Sequence, residues 1–155
     1  MTDAVAASVP AQGDEVTIEI PARPEYLSVV RNVVAATASV DPTFGDDRLD
    51  DIRLVVSEAA TNAIEAHLAA GNENRIGITV VNHDDHVVVE VVDHGVGFSE
   101  SDIIEHPSLD SDQRLAYESG LGIPLMKALA DETDIVSDGS GGTVVRLVVY
   151  PRKRG

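Results

Sequence analysis

Asp47 to Ala70 reads DRLDDIRLVVSEAATNAIEAHLAA, a run in which Leu49, Ile52, Val56, Ala59, Ala63 and Ile64 recur at helical spacing before Gly71 supplies a stop. The spacing predicts one long helix over these residues. Within it, Glu58-Ala59-Ala60-Thr61-Asn62 sets a carboxylate and an amide four residues apart, about 40° around a helix of 3.6 residues per turn. They share a face. Such a pair can hold a hydrated Mg²⁺ and orient a nucleophile, because Mg²⁺ prefers oxygen ligands and keeps several waters. Asp51 and Glu65 fall close to the same stripe, and a solvated polar face accounts for the pattern as well.

Outward from this helix the remaining elements follow from period and punctuation. Val16 to Ile20 alternates with Thr17 and Glu19 before Pro21, as a short edge strand does. Pro24 opens a helix with Leu27, Val30, Val34 and Ala38 on one face, and Asp41-Pro42 is expected to end it. Ile76 to Val81 and Val87 to Val92 are β-rich and joined by the polar turn Asn82 to Asp85, which predicts a hairpin of two central strands. Asp93 to Glu118 carries glycine, acids, serine and Pro107 without sustained periodicity, the signature of a long loop. Leu121 to Ala130 then reads as a helix begun at a glycine pair. Ile135-Val136 and Val144 to Val149 flank the turn Asp138 to Gly142.

Two further segments can carry chemistry. Asp93 leads directly into His94-Gly95-Val96-Gly97, so an acid stands where a strand gives way to flexible backbone. Two glycines admit φ > 0 and close approach of a ligand, and the carboxylate can accept a hydrogen bond from an exocyclic amine; a β-turn with a capping aspartate fits the same residues. Gly120 and Gly122 sit where a helix begins, so unpaired N–H groups and the positive end of the helix dipole can meet phosphate oxygens. The same G-x-G opens many ordinary helices.

Length, charge and composition bound the functional classes. A chain of 155 residues suits one domain with a real core. Its 11 Lys and Arg against 27 Asp and Glu leave a net charge of −16, which repels nucleic acid and anionic membranes, so neither is expected as a partner. The same field opposes an anionic ligand, so a nucleotide here needs a cation and aimed backbone donors. With no cysteine, no membrane-length apolar run and no secretory pattern at the start, a cytoplasmic location is expected.

The order of Glu58 to Asn62, Asp93 to Phe98 (DHGVGF) and Ser119 to Gly122 (SGLG) resembles the N, G1 and G2 boxes of the GHKL ATPase superfamily, most closely the anti-sigma factor serine/threonine kinases. The family's E-A-x-T-N-A is matched by Glu58, Ala59, Thr61, Asn62 and Ala63, and its D-x-G-x-G-F and S-G-x-G follow in order. The resemblance spans roughly Val16 to Tyr150. It implies an α+β fold of two layers, a mixed and mostly antiparallel sheet with helices on one face and an ATP lid. The expected division is a flexible N-terminus over 1–14, the ATPase domain over 15–151 and a short basic tail over 152–155.

The same resemblance implies roles. Glu58 would be the general base for a partner's serine, Asn62 the Mg²⁺ ligand and Asp93 the adenine-binding acid. Gly95 and Gly97 would shape the base pocket, Ser99 to Glu118 would form the lid, and Ser119, Gly120, Leu121 and Gly122 would bind the phosphates. Thr143 would support the adenine site, although a β-former after a glycine turn is equally expected there. One departure stands out. Related kinases can carry an arginine just before the S-G-x-G serine, and here that position is Glu118, with Arg114 and Lys127 the nearest replacement cations. His67 and His94 read as a helix-face and a loop residue rather than ligands.

The implied function is an ATP/ADP- and Mg²⁺-binding anti-sigma factor that sequesters a sigma factor, phosphorylates a Ser or Thr on a STAS-type anti-sigma factor antagonist and forms a homodimer. Glu118 keeps open a non-catalytic nucleotide-binding switch module. An ATPase module of another stress or two-component pathway shares the same boxes.

Overall fold

Pro24 begins the first helical segment as a 3-10 turn, Pro24–Tyr26, which passes into helix α1, Leu27–Ala38. Val30, Val34 and Ala38 bury the expected face. The α-helix ends at Ala38 and tightens into turns that reach Asp41-Pro42, with Val40 N donating to Thr37 O at 3.2 Å and Asp41 N to Ala38 O at 3.1 Å. Ser39 Oγ donates to Ala36 O at 2.7 Å, and Asn82 Nδ2 donates to Thr37 O at 2.7 Å. The computed structural model describes residues 13–94, 122–137 and 142–152.

Helix α2, Asp46–Ala70, carries Asp46 and Asp47 in its first turn, where carboxylates favour the dipole, and closes on Gly71 at φ 65. All six residues of the predicted apolar stripe are buried. The remaining elements are β1, Asp14–Ile20; β2, Ile76–Asn82; β3, Val87–Asp93; helix α3, Gly122–Leu129; β4, Glu132–Ser137; and β5, Thr143–Val149. The turn between β2 and β3 is closed by His83 N donating to His86 O at 2.8 Å.

The five strands lie in the order β1-β2-β3-β5-β4, with β1 at one edge and β2 and β3 inside, as their sequences predicted. Every pairing is antiparallel. The described strands therefore hold no parallel pair of the expected mixed sheet. The reason is positional: β3 and β4 run the same way, but β5 inserts between them and opposes both.

Alternation sorts the two faces. Ile76, Ile78 and Val80 of β2, Val87, Val89 and Val91 of β3, and Val145, Leu147 and Val149 of β5 point to the helix layer and join one core with Val30, Val34, Ile52, Val56, Ala59 and Met126. Full burial of each large aliphatic is worth about 1.5–3 kcal/mol. On the other face, strand register lines up Thr17, Thr79, Glu90, Arg146 and Asp134 across all five strands. The fold is thus two layers, and the helix side is where α2, β3, β5 and α3 meet.

One polar group pins that meeting point. Arg48 is only 6% exposed, and its guanidinium donates to Tyr150 O at 2.9 Å, Leu129 O at 3.0 Å, Asp51 Oδ2 at 2.7 Å and Asp131 Oδ2 at 2.7 Å. The same Asp131 oxygen accepts from Tyr150 N at 2.8 Å. The start of α2 is thereby tied to the ends of α3 and β5. A paired guanidinium is what makes a buried charge tolerable there.

Candidate functional site

Helical geometry in α2 sets Glu58 and Asn62 one turn apart, and the first residue of α3 stands against both. A Cβ on Gly122 would lie 3.2 Å from Glu58 Oε1, 3.5 Å from Asn62 Nδ2 and 3.6 Å from Asn62 Oδ1. A side chain there would touch the Asn62 amide and press on the tip of Glu58, so α3 begins directly against the two functional groups. Gly122, the last residue of the third motif, is therefore adjacent in space to the first motif, some sixty residues earlier in the chain.

The second motif arrives along the sheet. Asp93 is the last residue of β3 and pairs in register with Thr143, the first residue of β5. Odd-numbered residues of both strands face the helices, so both side chains turn inward, 7% and 4% exposed. Asn62, Asp93 and Thr143 line one cavity, whose apolar wall includes Ala59, Ala63, Val91, Ile123 and Met126. Its volume is 20 Å³. That is room for about one water.

Two polar atoms in this cavity have no partner. Asn62 Oδ1 and Thr143 Oγ1 are buried without a hydrogen bond; the third such side-chain atom among the described residues, Asn82 Oδ1, is at the opposite end of β2. An unsatisfied buried group costs about 1–3 kcal/mol, so a ligand that supplies the missing partners is favoured. Asn62 Oδ1 is a hard oxygen donor and suits Mg²⁺, which takes one or two protein ligands and completes its shell with phosphates and water. Among the described residues no group of three or more His, Cys, Asp or Glu could hold a metal, so a closed all-protein metal cage is not formed.

The other acids near the stripe are engaged elsewhere. Asp51 pairs with Arg48, and Glu65 is exposed. Lys127, one of the two cations proposed in place of the arginine, is exposed on α3. Gly95, Gly97, Ser119, Gly120, Leu121, Arg114, Glu118 and the expected lid from Ser99 to Glu118 lie outside the described residues.

Sequence reasoning missed two buried polar groups of α2, His67 near the site and Arg48 at the opposite end of the helix. His67 was expected on a helix face but is fully buried. Its ring joins two backbone segments: His94 N donates to Nε2 at 2.9 Å, and Nδ1 lies 3.0 Å from Asn74 O. The available signal was position, since both Arg48 and His67 fall on the apolar stripe of α2, at four-residue steps from Ile52 and Ala63.

Comparison with known proteins identifies the family and the fold. A family model described as the histidine kinase-like ATPase domain matches residues 20–149. The anti-sigma F factor of Bacillus cytotoxicus is 33% identical over 138 residues, covering 88% of this chain and 92% of the relative. Its counterpart in Bacillus thuringiensis is 32% identical with the same coverage. A solved structure of the RsbU and RsbW domains of a Mycobacterium tuberculosis protein shares the fold, with a TM-score of 0.63 at 21% identity, covering 88% of this chain and 32% of that longer one. No helix among the described residues is long and apolar enough to cross a membrane. With its sequence matched from Ile20 to Val149, its helix-backed antiparallel sheet bringing Asn62, Asp93 and Thr143 to one cavity and Gly122 set against Glu58 and Asn62, this chain belongs to the histidine kinase-like ATPase family, alongside the anti-sigma F factors.

Proposed function

We propose that this chain is a cytoplasmic ATP-binding anti-sigma factor that sequesters a sigma factor and phosphorylates a serine or threonine of its antagonist. The observation that carries the reading is the position of Asn62, which meets Gly122 beside Glu58 and also lines the cavity that holds Asp93 and Thr143. The relatives' name, anti-sigma F factor, supports the partner class.

In this reading the Asp93 carboxylate accepts a hydrogen bond from the adenine amine, and the Thr143 hydroxyl gains the partner it lacks. Asn62 Oδ1 would hold Mg²⁺, which when bound supplies charge neutralisation for the phosphates. Glu58 takes the proton from the antagonist's hydroxyl. The new bond joins that oxygen to the γ-phosphorus as the bond from the γ-phosphorus to the β–γ bridging oxygen breaks, and ADP leaves. The start of α3 directs backbone N–H groups toward the phosphates.

The test uses radiolabelled ATP, the cognate antagonist and Glu58→Gln. The reading expects label on the wild-type reaction's antagonist and loss of transfer in the variant with ATP affinity retained. Transfer undiminished by Glu58→Gln overturns the assigned base. ATP binding with no transfer at all supports the non-catalytic switch module instead.

A further inference from the structure

His67 is in the last turn of α2 and, among the described residues, is the one fully buried titratable residue that the proposed chemistry leaves idle. Both its ring nitrogens are used. A backbone N–H can only donate, so Nε2, 2.9 Å from His94 N, is an acceptor. A carbonyl can only accept, so Nδ1, 3.0 Å from Asn74 O, carries the proton. The two partners together select one tautomer.

The neighbouring loop completes the grip. Asn72 Nδ2 donates to His94 O at 2.6 Å, and Asn72 Oδ1 accepts from Asn74 N at 2.7 Å. Asn72 N in turn donates to His67 O at 2.9 Å across the Gly71 cap. His94 stands one residue beyond Asp93, where the register of β3 with β5 ends. Its N–H and C=O are therefore held by the C-terminal end of α2 in place of a strand neighbour.

We infer that His67, with Asn72, is a positioning residue for purine recognition. It fastens the chain just after Asp93 to the helix that carries Glu58 and Asn62, and so sets the distance between the base-reading acid and the metal-holding amide. This rests on the nucleotide reading proposed above, and His67 itself touches no ligand. His67 lies five residues beyond Asn62, about 7.5 Å along the helix axis, so a slackened clamp moves Asp93 while leaving the Glu58 and Asn62 turn intact.

Two substitutions separate positioning from mere stability. His67→Gln keeps an oxygen acceptor near the place of Nε2, and His67→Asn keeps a donor near Nδ1 but leaves His94 N–H without a partner. Calorimetric titration of the full chain with Mg·ATP and Mg·GTP is expected to show His67→Gln close to wild type. His67→Asn is expected to lose about tenfold in ATP affinity and most of its preference for ATP over GTP. Asn72→Ala, a change in a loop rather than the core, is expected to shift the same preference in the same direction. Nitrogen-15 imidazole spectra should show His67 as the Nδ1–H tautomer at neutral pH.

Equal behaviour of the two His67 variants and an unshifted Asn72→Ala would overturn the inference while leaving the nucleotide site standing, as would an Nε2–H tautomer. Absence of ATP binding by the wild-type chain would overturn both.

Discussion

Asp93 and Thr143 are register partners at the mouths of adjacent strands, and both turn their side chains to the helix side of the sheet. A carboxylate and a hydroxyl buried together at the end of a valine-rich core cost stability unless something polar meets them. Thr143 Oγ1 has no such partner among the protein's own groups.

A sign change follows for Thr143→Val. Removing an unsatisfied hydroxyl for a methyl of like shape should stabilise the free protein by about 1 kcal/mol. The same change removes a ligand contact, so saturating ATP should raise the melting temperature less in the variant than in wild type. Thermal denaturation with and without Mg·ATP reads both effects.

Gly122→Ala separates folding from catalysis. The added carbon would come within 3.2 Å of Glu58 Oε1, the tip of a flexible side chain that can move aside. Stability should change by less than about 1 kcal/mol, since alanine also favours a helix. Transfer to the antagonist should fall by about tenfold or more as Glu58 is displaced from its working position, measured as kcat at saturating ATP.

Asn62 and Mg²⁺ should act as one unit. Chelating Mg²⁺ is expected to weaken ATP binding to wild type by about tenfold or more and to have a smaller effect on Asn62→Ala, a coupling of about 1 kcal/mol or more in a double cycle. Calorimetry in matched buffers with and without chelator measures it. Equal effects of chelation on both proteins would remove Asn62 from the metal.

Arg48→Met should be the most destabilising of these changes, by about 3–5 kcal/mol, because it removes the cation paired with the buried Asp131 carboxylate. Urea denaturation checks the loss. Arg48→Lys should recover little of it, since one ammonium cannot reproduce the contacts to Tyr150 O, Leu129 O, Asp51 and Asp131.

The helices were readable because period alone specifies them. Ile52, Val56 and Ala59 named the buried face of α2, and Gly71 named its end. Asp93 and Asn62 could be named from their motifs, but their shared cavity depends on β5 inserting between β3 and β4, a long-range choice that no local pattern carries. The bond from Asn82 to Thr37 O near the end of α1 is of the same kind, since it comes from a distant strand. Arg48 and His67 were visible as polar residues on an apolar stripe. Their partners, Leu129, Asp131, Tyr150, Asn74 and His94, were not, because hydrogen bonds across the fold leave no spacing in the chain.

Recognition of the purine amine by Asp93 is the claim on which the rest depends, and calorimetric titration of Mg·ATP into wild type and Asp93→Asn tests it most directly. The account predicts saturable binding by the wild-type chain, preference for ATP over GTP, and a loss of about tenfold to a hundredfold in Asp93→Asn, the range of a hydrogen bond to a charged group. Undiminished ATP affinity in Asp93→Asn, or wild-type binding indifferent to the base, would contradict it.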